Sequence, residues 1–388
     1  MTPKQSAFAD RRNGIFLCVA AAGLIVLGLV MLASVSVWME DDGQQYSHLR
    51  KQSMWMLVGI VGATTLAMID YRRFRKWIVP LYGFATLLLI LCYVPGIARE
   101  IKGESRWIVV PLVGQFQPSE VAKIAIMMGL AAWFAHHQAE TRKFWKGFAI
   151  PMAILAVPIL LIFFEKDMGT AAGLGAAGVG LLFIAGTRLR YLIPSCGVAL
   201  AGFYVLVRMN ENRWNRIMAF LDLEEHKLGY GFQQWRGLLA FGNGGVEGLG
   251  LGNGAEKHGY LPEAHNDFIF PVIGEELGLW FALGVVFCFV MITVYGIAIA
   301  VRAPDVFGRL LAIGLTCAIV IPAMMNIGVT TAVLPNTGLP LPFVSYGGTN
   351  LVFTMAALGL LVSVHRQSYG GRKEHAKLLA EKKHCIRL

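Results

Sequence analysis

The chain has 388 residues, of which 56% are hydrophobic and only 15% charged, and its mean hydropathy is +0.58. That is too much apolar surface and too little charge for a soluble protein of one or two domains, so the sequence reads as a polytopic membrane protein. The net charge of +10 does not call for nucleic acid, because a membrane topology accounts for most of it.

Apolar runs long enough to span a bilayer occur near 14–38, 53–69, 77–97, 118–137, 147–164, 168–187, 191–208, 268–301, 307–331 and 346–365. They predict an all-α fold of about ten transmembrane helices. The first run is too long for a signal-peptide core and lacks a small-residue cleavage site, so it reads as a retained helix. With the N-terminus inside, cytoplasmic segments hold 21 Lys and Arg and the short outer loops only six, which predicts that both termini are cytoplasmic. The domain reading is a transmembrane unit over 1–366, with a long extracytoplasmic loop at 209–267 between the seventh and eighth helices. The tail over 367–388 is basic through Arg372, Lys373, Lys377, Lys382 and Lys383, a composition suited to anionic headgroups.

On this topology the unusual charges gather on the outer face. Arg106 lies in an outer loop beside Trp107, where it serves either as a headgroup anchor or as part of a cationic site. Glu120 and Lys123 share one face of the fourth helix and can pair, for structure or for function. Asp167 has a strong cap-like reading at the start of the sixth helix. Arg213 and Arg216 open the long loop, which continues into Gly242–Gly252 with six glycines in eleven residues. That stretch is either an anion cradle or a flexible run of turns.

Asp267 stands where polar loop becomes apolar helix. Alone it would read as an N-cap; with Glu275 and Glu276 roughly 12–14 Å further along the same helix, it points to a polar cavity, because intramembrane acids usually line one. The following outer loop, residues 334–348, holds three prolines and no Lys or Arg, which predicts a stiff, extended wall. The six cysteines and nine histidines show no metal-ligand spacing, and no nucleotide-binding loop is visible. No cofactor or metal site is implied, and a divalent cation is left open.

Three long motifs in order carry a resemblance: Phe116-Gln-Pro-Ser-Glu-Val-Ala-Lys123, Tyr260-Leu-Pro-Glu-Ala-His-Asn-Asp-Phe-Ile-Phe270 with Gly274-Glu-Glu-Leu-Gly278, and Thr337-Gly-Leu-Pro-Leu-Pro-Phe-Val-Ser-Tyr-Gly-Gly348. The chain resembles the SEDS family (shape, elongation, division and sporulation) over nearly all of 14–366, and its cell-division branch more than its elongation branch. The resemblance implies a glycosyltransferase that polymerises lipid II into peptidoglycan strands on the outer face of the bacterial inner membrane, at the division septum. It also implies a class B penicillin-binding protein and divisome proteins as partners. By the same resemblance Asp267 is the catalytic carboxylate, and Arg106, Glu120 and Lys123 are functionally important. The expected substrate-binding set adds Asp167, Arg213, Arg216, Glu263, His265, Glu275 and Ser345.

One carboxylate suffices for this chemistry. A diphosphate leaves without a proton, so the reaction needs a base and cations where ordinary glycoside hydrolysis needs two carboxyl groups. The chain departs from the family pattern at Glu165-Lys-Asp-Met-Gly-Thr170, where the family has Gln-Pro-Asp-Leu-Gly-Thr, at Phe220-Leu-Asp-Leu223, where it has Phe-Leu-Asp-Pro, and at Arg236-Gly237, where it has Gln-Ser. The competing readings are a lipid II flippase, an elongation-type polymerase and a scaffold; a flippase calls for polar groups at mid-membrane and on both halves.

Overall fold

The computed structural model describes residues 3–39, 46–96, 98–101, 104–110 and 114–385. Ten helices coincide with the ten apolar runs: α1 (Pro3–Met39), α2 (Ser47–Met68), α3 (Ile78–Leu91), α4 (Pro118–His136), α5 (Ile150–Phe164), α6 (Met168–Ile184), α7 (Leu189–Arg208), α10 (Ile269–Arg302), α11 (Val306–Thr330) and α12 (Gly348–Cys385). Seven described helical segments are long and apolar enough to cross a membrane, and α6 is apolar but shorter. The chain is a multi-pass membrane protein. The polar opening of α2 and the Glu120–Lys123 pair in α4 lower the hydropathy of those two helices.

The long connection before α10 is not a bare loop. It folds into α8 (Glu211–Leu221) and α9 (Phe232–Gly244). The all-α expectation also needs a correction at 98–116, where β1 (Ala98–Ile101), β2 (Glu104–Val110) and β3 (Gly114–Phe116) form an antiparallel sheet in the order β1-β2-β3. Its register pairs Ile108 with Phe116 and Arg99 with Trp107. Trp107-Ile-Val-Val110 is a run of aromatic and β-branched residues, which suit a pleated surface; it is too short to register beside the apolar helices.

Helix α4 is packed by α3, α5, α6 and α11, and most of its residues between Pro118 and Phe134 are buried. Pro118 sits in its first turn, where a missing N–H costs nothing. At the opposite end of the bundle, Asp305 caps α11 by accepting from Gly308 N (2.7 Å) and binds Arg72 (2.8 Å) and Arg75 (3.3 Å). The tail continues as helix to Cys385, but its basic side chains from Arg372 onward lie outside the described residues.

Helix α10 is broken at Gly278, whose φ of 77° and ψ of −174° are not helical. The segment after α9 inserts its backbone at the break. Leu249 N donates to Glu275 O and Gly250 N to Glu276 O, both at 2.9 Å, and Leu279 N donates to Gly245 O at 3.1 Å. The carbonyls and amides freed by the break are thus paired within the protein, as buried backbone requires. A Cβ on Gly278 would stand 2.4 Å from Val246 O, so both its backbone angle and the close approach need glycine.

Candidate active site

Asp267 does not cap α10. The cap position falls to Phe268, which makes no side-chain cap bond. Upstream, the chain turns at Glu263, whose φ is 58° and whose carbonyl accepts from Asn266 N (2.9 Å) and Phe268 N (3.2 Å). That turn fixes the direction in which Asp267 enters the helix, while buried Phe268 anchors it from below. Asn326 of α11 donates through Nδ2 to both Asp267 O and Leu339 O at 2.7 Å. One side chain therefore ties the Asp267 backbone to the proline-rich wall.

The wall is held on this segment at further points. Ser345 Oγ donates to Asn266 O (2.6 Å) and accepts from Leu341 N (2.8 Å), and Tyr346 N donates to His265 O (3.0 Å). Gln52 of α2 donates to Ser345 O (3.2 Å). The His265 ring stands near those of His48 (5.4 Å) and Tyr346 (5.9 Å). Gly338, at φ 67°, faces Asp267: a Cβ built there would lie 3.4 Å from Oδ2. Ser345 and Glu263 thus shape the wall and the turn around Asp267, and Ser345 itself is buried.

The same end of the bundle gathers two ion pairs. Lys123 Nζ is 2.7 Å from Glu120 Oε2, and Asn350, at the start of α12, donates to Glu120 Oε1 at 3.2 Å. Arg106 of β2 reaches Asp167 Oδ2 at 3.5 Å. Asp167 also caps α6 by accepting from Thr170 N (3.0 Å), and it accepts from Gln117 Nε2 (3.2 Å). Its capping reading and its place in a charged cluster both hold. Glu165, two residues earlier, is 1% exposed, and the Cys92 thiol is the one donor described for its two oxygens. Burial, reinforced by the Asp167 charge, pushes its pKa up to about 8, against the opposing pull of Cys92 and Arg106.

Glu275 sits differently from the expected substrate-side residue. It is fully buried and its carboxylate accepts from Ala255 N (3.1 Å) and Glu256 N (3.2 Å). Glu276 accepts from Gly252 N (2.9 Å) and Ser34 Oγ (2.8 Å) and pairs with Lys257 Nζ at 2.6 Å, both side chains wholly buried. Of the glycine-rich stretch only the last residue, Gly252, gives its amide to a carboxylate, that of Glu276; the amides that hold Glu275 follow just after it, at Ala255 and Glu256. A sequence shows the acids; it does not show that their donors are backbone amides some twenty residues upstream. Lys257→Met would leave Glu276 charged and uncompensated, so the variant is expected to lose about 3–5 kcal/mol, read as a lower midpoint of thermal unfolding in detergent. Wild-type stability in that variant would mean that the pair does not hold the loop.

The two arginines of α8 sit differently. Arg213 lies 5.3 Å above the ring of Phe163 at the end of α5, and Arg216 is exposed. Sequence reasoning missed Gln52, Asn326 and Asn350, whose amides hold the site together from distant helices. They carry no local motif.

With this geometry in view, a family model described as a cell cycle protein, FtsW/RodA/SpoVE, matches residues 15–370. The chain belongs to the FtsW/RodA/SpoVE family. Within that family it is 39% identical over 363 residues to a probable peptidoglycan glycosyltransferase FtsW of Geobacter metallireducens, covering 92% of this chain and 96% of the relative. It is 35% identical to the stage V sporulation protein E of Bacillus subtilis, covering 89% and 94%. Among solved structures, a chain from a peptidoglycan synthase complex that coordinates polymerization and crosslinking matches with a TM-score of 0.75 and 28% identity, over 91% of this chain and 97% of that one. The rod shape determining protein RodA of Thermus thermophilus matches with a TM-score of 0.66 and 28% identity, over 91% and 96%. These two solved structures share the overall fold described above.

Proposed function

We propose that this chain is a peptidoglycan glycosyltransferase of the FtsW type, which polymerises lipid II on the outer face of the inner membrane during division. In this reading ten helices cross the membrane, both termini are cytoplasmic, and the end that bears Asp267 faces outward. The observation that carries the reading is the placement of charge. The buried charged side chains among the described residues are Glu120, Glu165, Asp167, Glu256, Lys257, Glu275 and Glu276; each lies at or within about two turns of the start of α4, α6 or α10, or is bound to a residue that does. Asp267 stands at that end, one residue ahead of the cap position of α10.

Asp267 acts as the base that takes the proton of the acceptor sugar hydroxyl. Arg106 and Lys123, each brought there on a carboxylate partner, exchange that partner for the oxygens of the departing diphosphate, whose charge they neutralise. Asp167 and Glu120 hold the two cations in position until substrate arrives. No proton is needed by the leaving group, so no second catalytic acid is assigned. His265, Glu263, Arg213 and Arg216 are proposed to line the approach of the sugar and peptide, with buried Ser345 fixing the wall behind them, and the scheme uses no resident cofactor. The names of the FtsW relatives support the division role, and the synthase-complex neighbour supports a class B penicillin-binding protein as partner.

The test is polymer formation. Purified protein with its cognate transpeptidase, given fluorescent lipid II, is expected to yield long glycan strands on a gel; unchanged lipid II under these conditions counts against the enzyme reading. Alternating-access transport is disfavoured by the one-ended charge, because a flippase path needs polar groups on both halves.

A further inference from the structure

The carboxyl group of Glu165 has no role in the scheme above, yet it lies inside the charged cluster. It follows α5 directly, with Cys92 and Tyr93 facing it from the end of α3, Asp167 from the start of α6 and Arg106 from β2. Lys166 is its chain neighbour, with a left-handed φ of 70°. Gln117, ahead of α4, already donates to Asp167, and Arg213 of α8 stacks on Phe163, two residues before Glu165. Glu165 is 1% exposed, and the Cys92 thiol is the one donor described for its two oxygens. A buried carboxylate in such a place would be costly, and two adjacent carboxylates would compete for a single guanidinium.

We propose that Glu165 is a positioning residue that works as a neutral acid: by carrying a proton it leaves the Arg106 guanidinium to Asp167 and, in turn, to the substrate diphosphate. Ionised Glu165 draws Arg106 towards itself and adds a second negative charge where the diphosphate must sit. The effect reaches the reaction through Arg106, so Glu165 itself touches no reacting atom. The inference rests on the glycosyltransferase reading for its activity arm only. The pKa of about 8 places the change just above neutral pH.

The test compares wild type with Glu165→Gln, which keeps the shape and cannot ionise. For each protein, lipid II polymerisation is measured at pH 7 and at pH 9. At a pH one unit above the pKa about a tenth of Glu165 stays protonated, so the wild-type ratio of pH 9 to pH 7 activity is expected to be about tenfold lower than that of Glu165→Gln. Equal ratios overturn the proposal. A second arm is thermal unfolding across pH 5–8, which needs no activity. The folded pKa is raised above the ordinary 4.5, so the unfolded chain holds fewer protons in this window and wild-type stability falls as pH rises. Glu165→Gln lacks that contribution, and at pH 8 it is expected to melt at least ~2 °C higher relative to wild type than it does at pH 5. Parallel curves overturn the proposal. Absence of polymer from every protein would count against the function instead, with the thermal arm still deciding on Glu165.

Discussion

Asp267→Asn is expected to abolish polymerisation while the protein remains folded. The substitution keeps size and polarity and removes only the ability to accept a proton, so the loss should fall in the range of about 10²–10⁴-fold ascribed to a general base. The cap position of α10 belongs to Phe268, the backbone tie from Asn326 to Asp267 O survives the change, and the amide keeps polar atoms where the carboxylate had them. Expression and thermal unfolding should therefore match wild type. A variant that polymerises lipid II at near wild-type rate would remove Asp267 from the chemistry, and one that fails to fold would show that its part is structural.

The second large effect is expected at the Glu120–Lys123 pair. The two charges lie 2.7 Å apart with side-chain exposures of 4% and 13%, so removing one strands the other in a poorly solvated place. Each neutral single variant, Glu120→Gln or Lys123→Met, is expected to lose about 3–5 kcal/mol of stability and most of its activity. The double variant should recover stability but not activity, because Lys123 is also needed for the diphosphate. A double-mutant cycle on unfolding should show strong coupling, since the residues touch. Additive losses would contradict the pairing, and recovered activity in the double variant would contradict the role given to Lys123.

Much of this architecture is legible in the residues, and the exceptions have physical causes. The apolar runs mark the helices because a bilayer demands some twenty residues of one character, and that demand is local. The sheet at 98–116 is only a few residues per strand and borrows its stability from pairing. Asp267 is visible as an acid at a helix mouth, and the three-residue spacing of Glu120 and Lys123 foretells their contact. The spacing of Glu275 and Glu276 from Asp267 points to a polar cavity instead, because acids show in a sequence and backbone donors do not. The amides of Ala255 and Glu256 that take up Glu275 look the same in every sequence. Gln52, Asn326 and Asn350 are legible only once distant helices are brought together. Glu165 was visible as a departure from the family's pattern, but its burial and its thiol donor belong to the fold.

In the proposed reaction lipid II is polymerised at one end of the bundle, and Asp267 is indispensable. The most direct measurement is a proteoliposome assay in which the protein's orientation is set by proteolysis of the tail after Arg366 and lipid II is supplied to one leaflet at a time in the presence of the cognate transpeptidase. Polymer should form only when lipid II is in the leaflet facing the Asp267 end, without net movement of lipid between leaflets, and Asp267→Ala should form none. Rapid scrambling of lipid II by Asp267→Ala, with no polymer from wild type on either face, would contradict the account and favour transport.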